Sequence, residues 1–252
     1  MVSISVVIPV YKNYASALDS ILSCDVAGID ELVVVDDTPS DLRKCLNVPR
    51  FEHIKEYKFI ANKRNRGVTF SRNRGYFCAS GDIVIFLDSD DQLVSDSVES
   101  VRFSAIKYLD AFCFLYRSEG VSYGATSFEG ECREWFHLLR RSNSGERTVV
   151  VRKCGFKPFK GALRGHELRG LVSYCKKSGG KCIWLPEKLR SYSVNVPGGL
   201  SSLRTTKERA RLISIGHMSL AKFLCVEGKY RLSVVYLLKC FRYLYAYLVS
   251  RS

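Results

Sequence analysis

Ala79-Ser80-Gly81-Asp82-Ile83-Val84-Ile85-Phe86-Leu87-Asp88-Ser89-Asp90-Asp91 decides the fold. Residues 83–87 are apolar without a break, too short for a helix, and closed by aspartates. They read as a strand buried on both faces. Upstream, Glu31-Leu32-Val33-Val34-Val35 has the same character and runs into Asp36 and Asp37. Residues 3–8 form a third such run, stopped by Pro9 and followed by Tyr11. Ala17, Leu18, Ile21 and Leu22 at helical spacing predict a helix over 15–24; residues 68–79 predict another, and Tyr57 to Ala61 a short strand. Strands alternating with helices predict an α/β fold with a Rossmann-like, mostly parallel central sheet flanked by helices.

In such sheets ligands gather beyond the carboxyl ends of the strands. Here three strands end in Tyr11, in Asp36-Asp37, and in Asp88-Ser89-Asp90-Asp91. A single strand-end aspartate is ordinarily a cap or turn residue; three successive polar endings predict a shared site. Clustered carboxylates suit a hard divalent cation that also bridges substrate phosphates. Asp88 and Asp90, two apart on an extended turn, need not face the same way, so one can hold metal and the other a sugar hydroxyl. The stretch Asn65-Arg66-Gly67-Val68-Thr69-Phe70-Ser71-Arg72-Asn73-Arg74-Gly75 opens the second helix. Arg72 there can meet a phosphate or can order Asp88 by an ion pair.

Further along, helices are predicted over 97–108 and 166–178, and strands over 111–116 and 148–151. Two terminal helices are expected, 206–226 and 229–249, broken near Gly228. Residues 117–147 give no clear period. Glu119, Tyr123, Glu129, Glu131, Trp135 and Phe136 are sugar-binding material or core. The ten scattered cysteines form no C-x-x-C pair, and no signal peptide is read at the N-terminus, so a reducing cytoplasm is expected. Net charge is +14, split as −4 over residues 1–100 and +18 over 101–252. The basic part calls for an anionic partner. Nucleic acid is disfavoured, because no recognition module is present and acids fill the only obvious cleft.

The segments SVVIPVYKNYASALDSIL at 5–22, ELVVVDDTPSD at 31–41, NRGVTFSRNRG at 65–75 and ASGDIVIFLDSDD at 79–91 resemble family 2 glycosyltransferases. Within that family the chain is similar to bacterial O-antigen and capsular polysaccharide sugar transferases. The resemblance implies a GT-A fold over 1–203, with a nucleotide-sugar-binding half (1–100), an acceptor-binding half (101–203) and a C-terminal helical extension (204–252). It implies inverting, metal-dependent transfer from a UDP-sugar. Pro9, Tyr11 and Asp37 would line the base and ribose pocket, with Arg72 on the nucleotide side. Asp88 and Asp90 would be the DXD-type pair, Asp90 being the preferred ligand for Mn²⁺ or Mg²⁺.

The chain departs from the family at Thr38-Pro39, where Gly-Ser is more usual, and at the catalytic base. The family carries Glu-Asp at the start of a later helix; here the segment reads His166-Glu167-Leu168. Leucine cannot take a proton. Glu167 is the nearest group that can, with His166 as the alternative. Loss of the aspartate keeps open a second reading, a catalytically inactive nucleotide-binding relative.

The resemblance also implies a polyprenyl-diphosphate-linked acceptor and a place on the inner face of the bacterial inner membrane. Residues 229–249 fit this as a basic, tyrosine-rich interfacial helix with Leu232, Val235, Leu238 and Tyr245 on its apolar face. Lys239 and Arg242 interrupt it too much for a span. Packing on the core or in a homodimer is the competing reading.

Overall fold

Ile4–Val10 (β1) occupies the centre of the first half of the sheet, and all seven of its residues are buried. Its side chains alternate. Ile4, Val6, Ile8 and Val10 join one core layer, and Val7 joins the layer on the opposite face. A strand this apolar is stable only when helices cover both faces. Tyr14–Val26 (α1) and Ser97–Lys107 (α3) supply one cover; Val68–Cys78 (α2) and Glu167–Lys177 (α4) supply the other.

The computed structural model describes residues 1–120, 127–143, 147–161, 167–191 and 207–249. The remaining strands are Glu31–Asp36 (β2), Glu56–Ala61 (β3), Ile83–Phe86 (β4), Gln92–Leu93 (β5), Ala111–Glu119 (β6), Cys132–Arg133 (β7), Thr148–Arg152 (β8) and Lys181–Ser191 (β9). They form one sheet ordered β3-β2-β1-β4-β8-β6-β9-β5, with β7 also on β9. A 3-10 helix spans Trp135–Asn143, and two helices, Lys207–Val226 (α5) and Tyr230–Val249 (α6), close the chain.

The expectation of a mostly parallel sheet holds for half of it. The pairs β3-β2, β2-β1 and β1-β4 are parallel, whereas β4-β8, β8-β6, β9-β5 and β7-β9 are antiparallel. The sheet is mixed because β8 enters between β4 and β6 against both of them, and only β6-β9 restores a parallel pair. The longest strand, β9, has no counterpart among the predicted strands. Pro186, Glu187 and Lys188 interrupt its apolar run, and its register with β6 shifts at Arg117, so the alternation is broken locally.

The seat of α4 is fixed by close packing. Tyr76 of α2 donates to the Cys154 carbonyl (2.6 Å), accepts from the Cys154 amide (2.7 Å), and lies 3.0 Å from the Tyr174 hydroxyl of α4. Gly170 presses its Cα face against the chain at 158–160: a Cβ there would lie 2.6 Å from Pro158 O, Phe159 Cα and Lys160 N. All three of those atoms are backbone with no rotamer to yield. Gly170→Ala should therefore lose stability by overpacking, about 1–3 kcal/mol, read as a lower denaturation midpoint. An unchanged midpoint would mean that α4 is not seated this tightly.

The last helix also departs in detail from its reading. Leu232, expected on the free apolar face, packs on the core, and Tyr236 is buried with its hydroxyl donating to the Leu139 carbonyl (3.2 Å). Val235, Leu238 and Tyr245 are exposed as expected, with Val234, Phe241 and Leu248 exposed beside them.

Candidate active site

At the end of β2, Asp36 is fully buried. It accepts from the Tyr14 hydroxyl (3.0 Å), the Thr38 amide (2.8 Å) and Arg43 Nε (3.1 Å). Asp37 is buried as well. Its Oδ1 accepts from Asn62 Nδ2 and the Arg66 amide, each at 2.8 Å, and its Oδ2 from the Gly67 amide at 2.7 Å. Asp37 thereby shapes the turn 62–67, whose Gly67 has φ 85 and opens α2. A cavity of about 590 Å³ lies beside this turn, lined by Asn62, Lys63, Arg64, Arg66, Phe70 and Arg74. Its cations make it attractive to an anionic ligand. Pro9 is buried inside β1 opposite Val35, whereas Tyr11, just beyond the strand, is 45% exposed.

The end of β4 carries the charge cluster. Asp88 O accepts from the Asp91 amide (3.1 Å), which closes a turn over Ser89 and Asp90. Ser16 of α1 holds that turn by donating to the Ser89 carbonyl (2.9 Å). Asp88 is claimed by two arginines: Oδ1 pairs with Arg72 Nη2, and Oδ2 lies 3.4 Å from Arg190 Nη1. The same Arg190 nitrogen pairs with buried Asp91, while Arg190 Nε donates to Ser118 Oγ (2.9 Å). Asp90 is partly exposed at the crest of the turn.

Burial is the largest single influence on Asp88 and opposes its ionisation. The charges and hydrogen bonds of Arg72 and Arg190 together outweigh it and hold the carboxyl below its ordinary range. With a lowered folded value, the stability contributed by this pairing is complete above the unfolded carboxylate value of about 3.9. It is lost as pH falls through the lower folded value.

Arg72 is therefore placed as one of its two readings required, on Asp88. Its Nε is also buried without a hydrogen-bond partner, and its guanidinium faces the Phe159 ring at 5.5 Å. An orphaned cationic donor beside the strand ends suits a diphosphate. Among the described residues no cluster of three or more His, Cys, Asp or Glu side chains forms a metal cage. The donor set fits instead a cation carried largely by substrate phosphates and waters, with one carboxylate from the protein. Glu167 is the first residue of α4 and partly exposed. His166, Tyr123 and the segment 192–202 lie outside the described residues.

Arg190, Asn62 and Arg43 belong to this site and were not singled out by motif. The available signal for Arg190 was a cation in an otherwise buried stretch of strand, since it is 3% exposed. A cation there must find carboxylates.

The structure thus joins a mixed α/β sheet to an acid–arginine cluster beyond its strand ends. Residues 5–158 match Glycosyl transferase family 2, and the chain belongs to that family of transferases. It is 26% identical over 249 residues to the GalNAc(5)-diNAcBac-PP-undecaprenol beta-1,3-glucosyltransferase of Campylobacter jejuni, covering 92% of this chain and 77% of that one. It is 34% identical over 110 residues to the glycosyltransferase GlyA of Streptococcus pneumoniae, covering 42% of this chain but 15% of the relative. For an uncharacterized Haemophilus influenzae glycosyltransferase the match spans 39% of the relative. The fold is similar to that of S. aureus TarS 1-349 in complex with UDP-GlcNAc, with TM-score 0.62 and 17% identity over 88% of this chain and 71% of that one.

Proposed function

We propose that this glycosyltransferase takes its sugar from a UDP-sugar and transfers it, with inversion, to a lipid-linked or polysaccharide acceptor of a bacterial surface glycan. The observation that carries the reading is the set of acids beyond β2 and β4, Asp37, Asp88 and Asp90, with Arg72 of α2 on Asp88, inside the segment that matches the family. In the GT-A frame this cluster is the donor end and α4 the acceptor end. The C. jejuni relative, named for an undecaprenyl-diphosphate-linked substrate, supports the lipid-linked class.

Glu167 accepts the proton of an acceptor hydroxyl. That oxygen attacks the anomeric carbon from the face opposite the nucleotide, the bond to the diphosphate breaks, and UDP leaves with the bonding pair. Asp37 holds the turn that borders the base, with Tyr11 and Pro9 beside it. Arg72 turns its unpaired Nε to the diphosphate. Asp90 would hold Mn²⁺ or Mg²⁺, which would neutralise the leaving charge. Asp88 keeps Arg72 and Arg190 in register. A screen of UDP- and GDP-sugars for cation-dependent hydrolysis tests the reading: cleavage of a UDP-sugar that stops on chelation is expected. Tight UDP binding with no turnover on any donor would favour the inactive relative that Leu168 suggests.

The same proposal places the protein peripherally on the inner face of the membrane. Among the described residues α6 alone is long and apolar enough to cross a bilayer, with mean hydropathy 1.4 and 11% of the window buried. Its exposed stripe could serve a second copy or a lipid surface. Charge decides between them. Residues 229–249 contain Lys229, Arg231, Lys239 and Arg242 and no acid, so self-pairing sets like charges together, whereas an anionic surface gains about 1 kcal/mol per cation. Lys239 and Arg242 near the middle favour lying in the interface over crossing it. The double variant Leu238→Ser/Phe241→Ser, at exposed positions, should stay folded and lose sedimentation with phosphatidylglycerol vesicles at low salt. Unchanged sedimentation would remove α6 as the contact, and a fall in solution mass instead would assign it to a dimer.

A further inference from the structure

Arg169 has no role in the proposed chemistry, yet its surroundings are unusual. It lies two residues beyond Glu167 on α4 and is 9% exposed. Its guanidinium stacks 3.9 Å above the Phe223 ring of α5, which covers one face. Ring contact gives nothing to the N–H edge, and both Nε and Nη1 are buried without a hydrogen-bond partner. Natural proteins rarely leave a buried charged donor unmet, because the desolvation is then uncompensated. The acid whose charge is felt there, Glu227, is already bound to Lys176.

The neighbourhood is otherwise cationic. Arg169 is the strongest influence pushing the Lys160 ammonium below its ordinary value, followed by burial, Lys177 and Lys157. The backbone at Lys160 is the part of the chain pressed against Gly170. Four cations from α4 and the segment 157–160 thus share one field, and two buried donors of Arg169 have no partner there. The adjoining Phe159 backs Gly170 with its Cα and meets Arg72 with its ring, so the cluster abuts the donor end of the site without belonging to it.

We propose that Arg169 and Lys160 form a seat for a phosphate or diphosphate group at the seam between α4, the segment 157–160 and α5. A diphosphate supplies the several acceptor oxygens that a guanidinium edge and an ammonium require. It can arrive on a prenyl diphosphate or as a phosphodiester headgroup of the membrane. The seat rests on the proposed function only for which of these delivers it.

Calorimetric titration with inorganic pyrophosphate, without metal and with UDP in excess, tests the seat. Arg169→Met keeps the packing on Phe223 and removes the charge; Lys160→Met alters a residue whose side chain is exposed; Lys44→Met, exposed elsewhere, controls for net charge. Pyrophosphate affinity should fall by about tenfold or more in Arg169→Met, by severalfold in Lys160→Met, and hardly in Lys44→Met. UDP affinity should stay unchanged in all three, so loss of UDP binding in the wild type would count against the proposed function and not against the seat. Pyrophosphate should raise the melting temperature of the wild type and leave that of Arg169→Met where it was. Should Arg169→Met fail to fold, Lys160→Met decides alone. Selective loss of a soluble prenyl diphosphate, or selective loss of phosphatidylglycerol vesicles, assigns the source. Affinities equal to those of Lys44→Met would overturn the proposal.

Discussion

Asp90→Asn should lower sugar transfer by about a hundred- to a thousandfold, with the fold intact. The expectation follows from the place of Asp90 in the turn beyond β4. Asp88 has both oxygens on arginines, and Asp91 is buried against Arg190. Asp90 is partly exposed at the crest of the turn that Ser16 and the Asp91 amide hold in place. An amide keeps the shape of this turn and removes the charge that a divalent cation needs. Steady-state rates across a Mn²⁺ titration, beside circular dichroism, give the measurement. Activity near that of the wild type, or activity surviving thorough chelation, would reject a metal at this turn. Asp88→Asn should fail differently, by releasing Arg72 and Arg190, and should cost stability as well as rate.

Glu167→Gln comes second in size. Removing a general base typically costs about 10²- to 10⁴-fold in rate, and glutamine preserves the volume and the place in the first turn of α4. The loss should appear in kcat, with donor affinity unchanged, because the residue takes part only as the acceptor oxygen attacks. His166→Ala is the companion variant. Near-normal turnover in Glu167→Gln together with collapse in His166→Ala would move the base to His166. Normal turnover in both would exclude this helix as its source.

The first half of the molecule was legible because its signals are local. Strand β4 is an unbroken apolar run, β1 and β2 are apolar but for Ser5, Glu31 and Asp36, and helices α1 and α2 fall within two residues of the predicted spans. The second half was less so, because long-range pairing decides it. Strand β9 carries three exposed residues, 186–188, in its middle and depends on β6, β7 and β5 for its definition. β5 and β7, two residues each, have no periodicity to read. The aspartates announced themselves by spacing, whereas their partners did not: Arg190 reaches Asp91 across 99 positions of sequence, a relation that no local pattern encodes.

Asn73 of α2 and Phe159 are joined side chain to backbone. The Asn73 side chain donates to the Phe159 carbonyl (2.8 Å) and accepts from its amide (3.0 Å), so one carboxamide imitates a rung of β-ladder between α2 and the segment leading to α4. Neither aspartate nor leucine can do both. This docking joint ties α2 to the chain that leads into α4. The joint reads backbone atoms on its far side, so it is indifferent to which side chain follows. A change of side chain at 159 would therefore leave both hydrogen bonds in place.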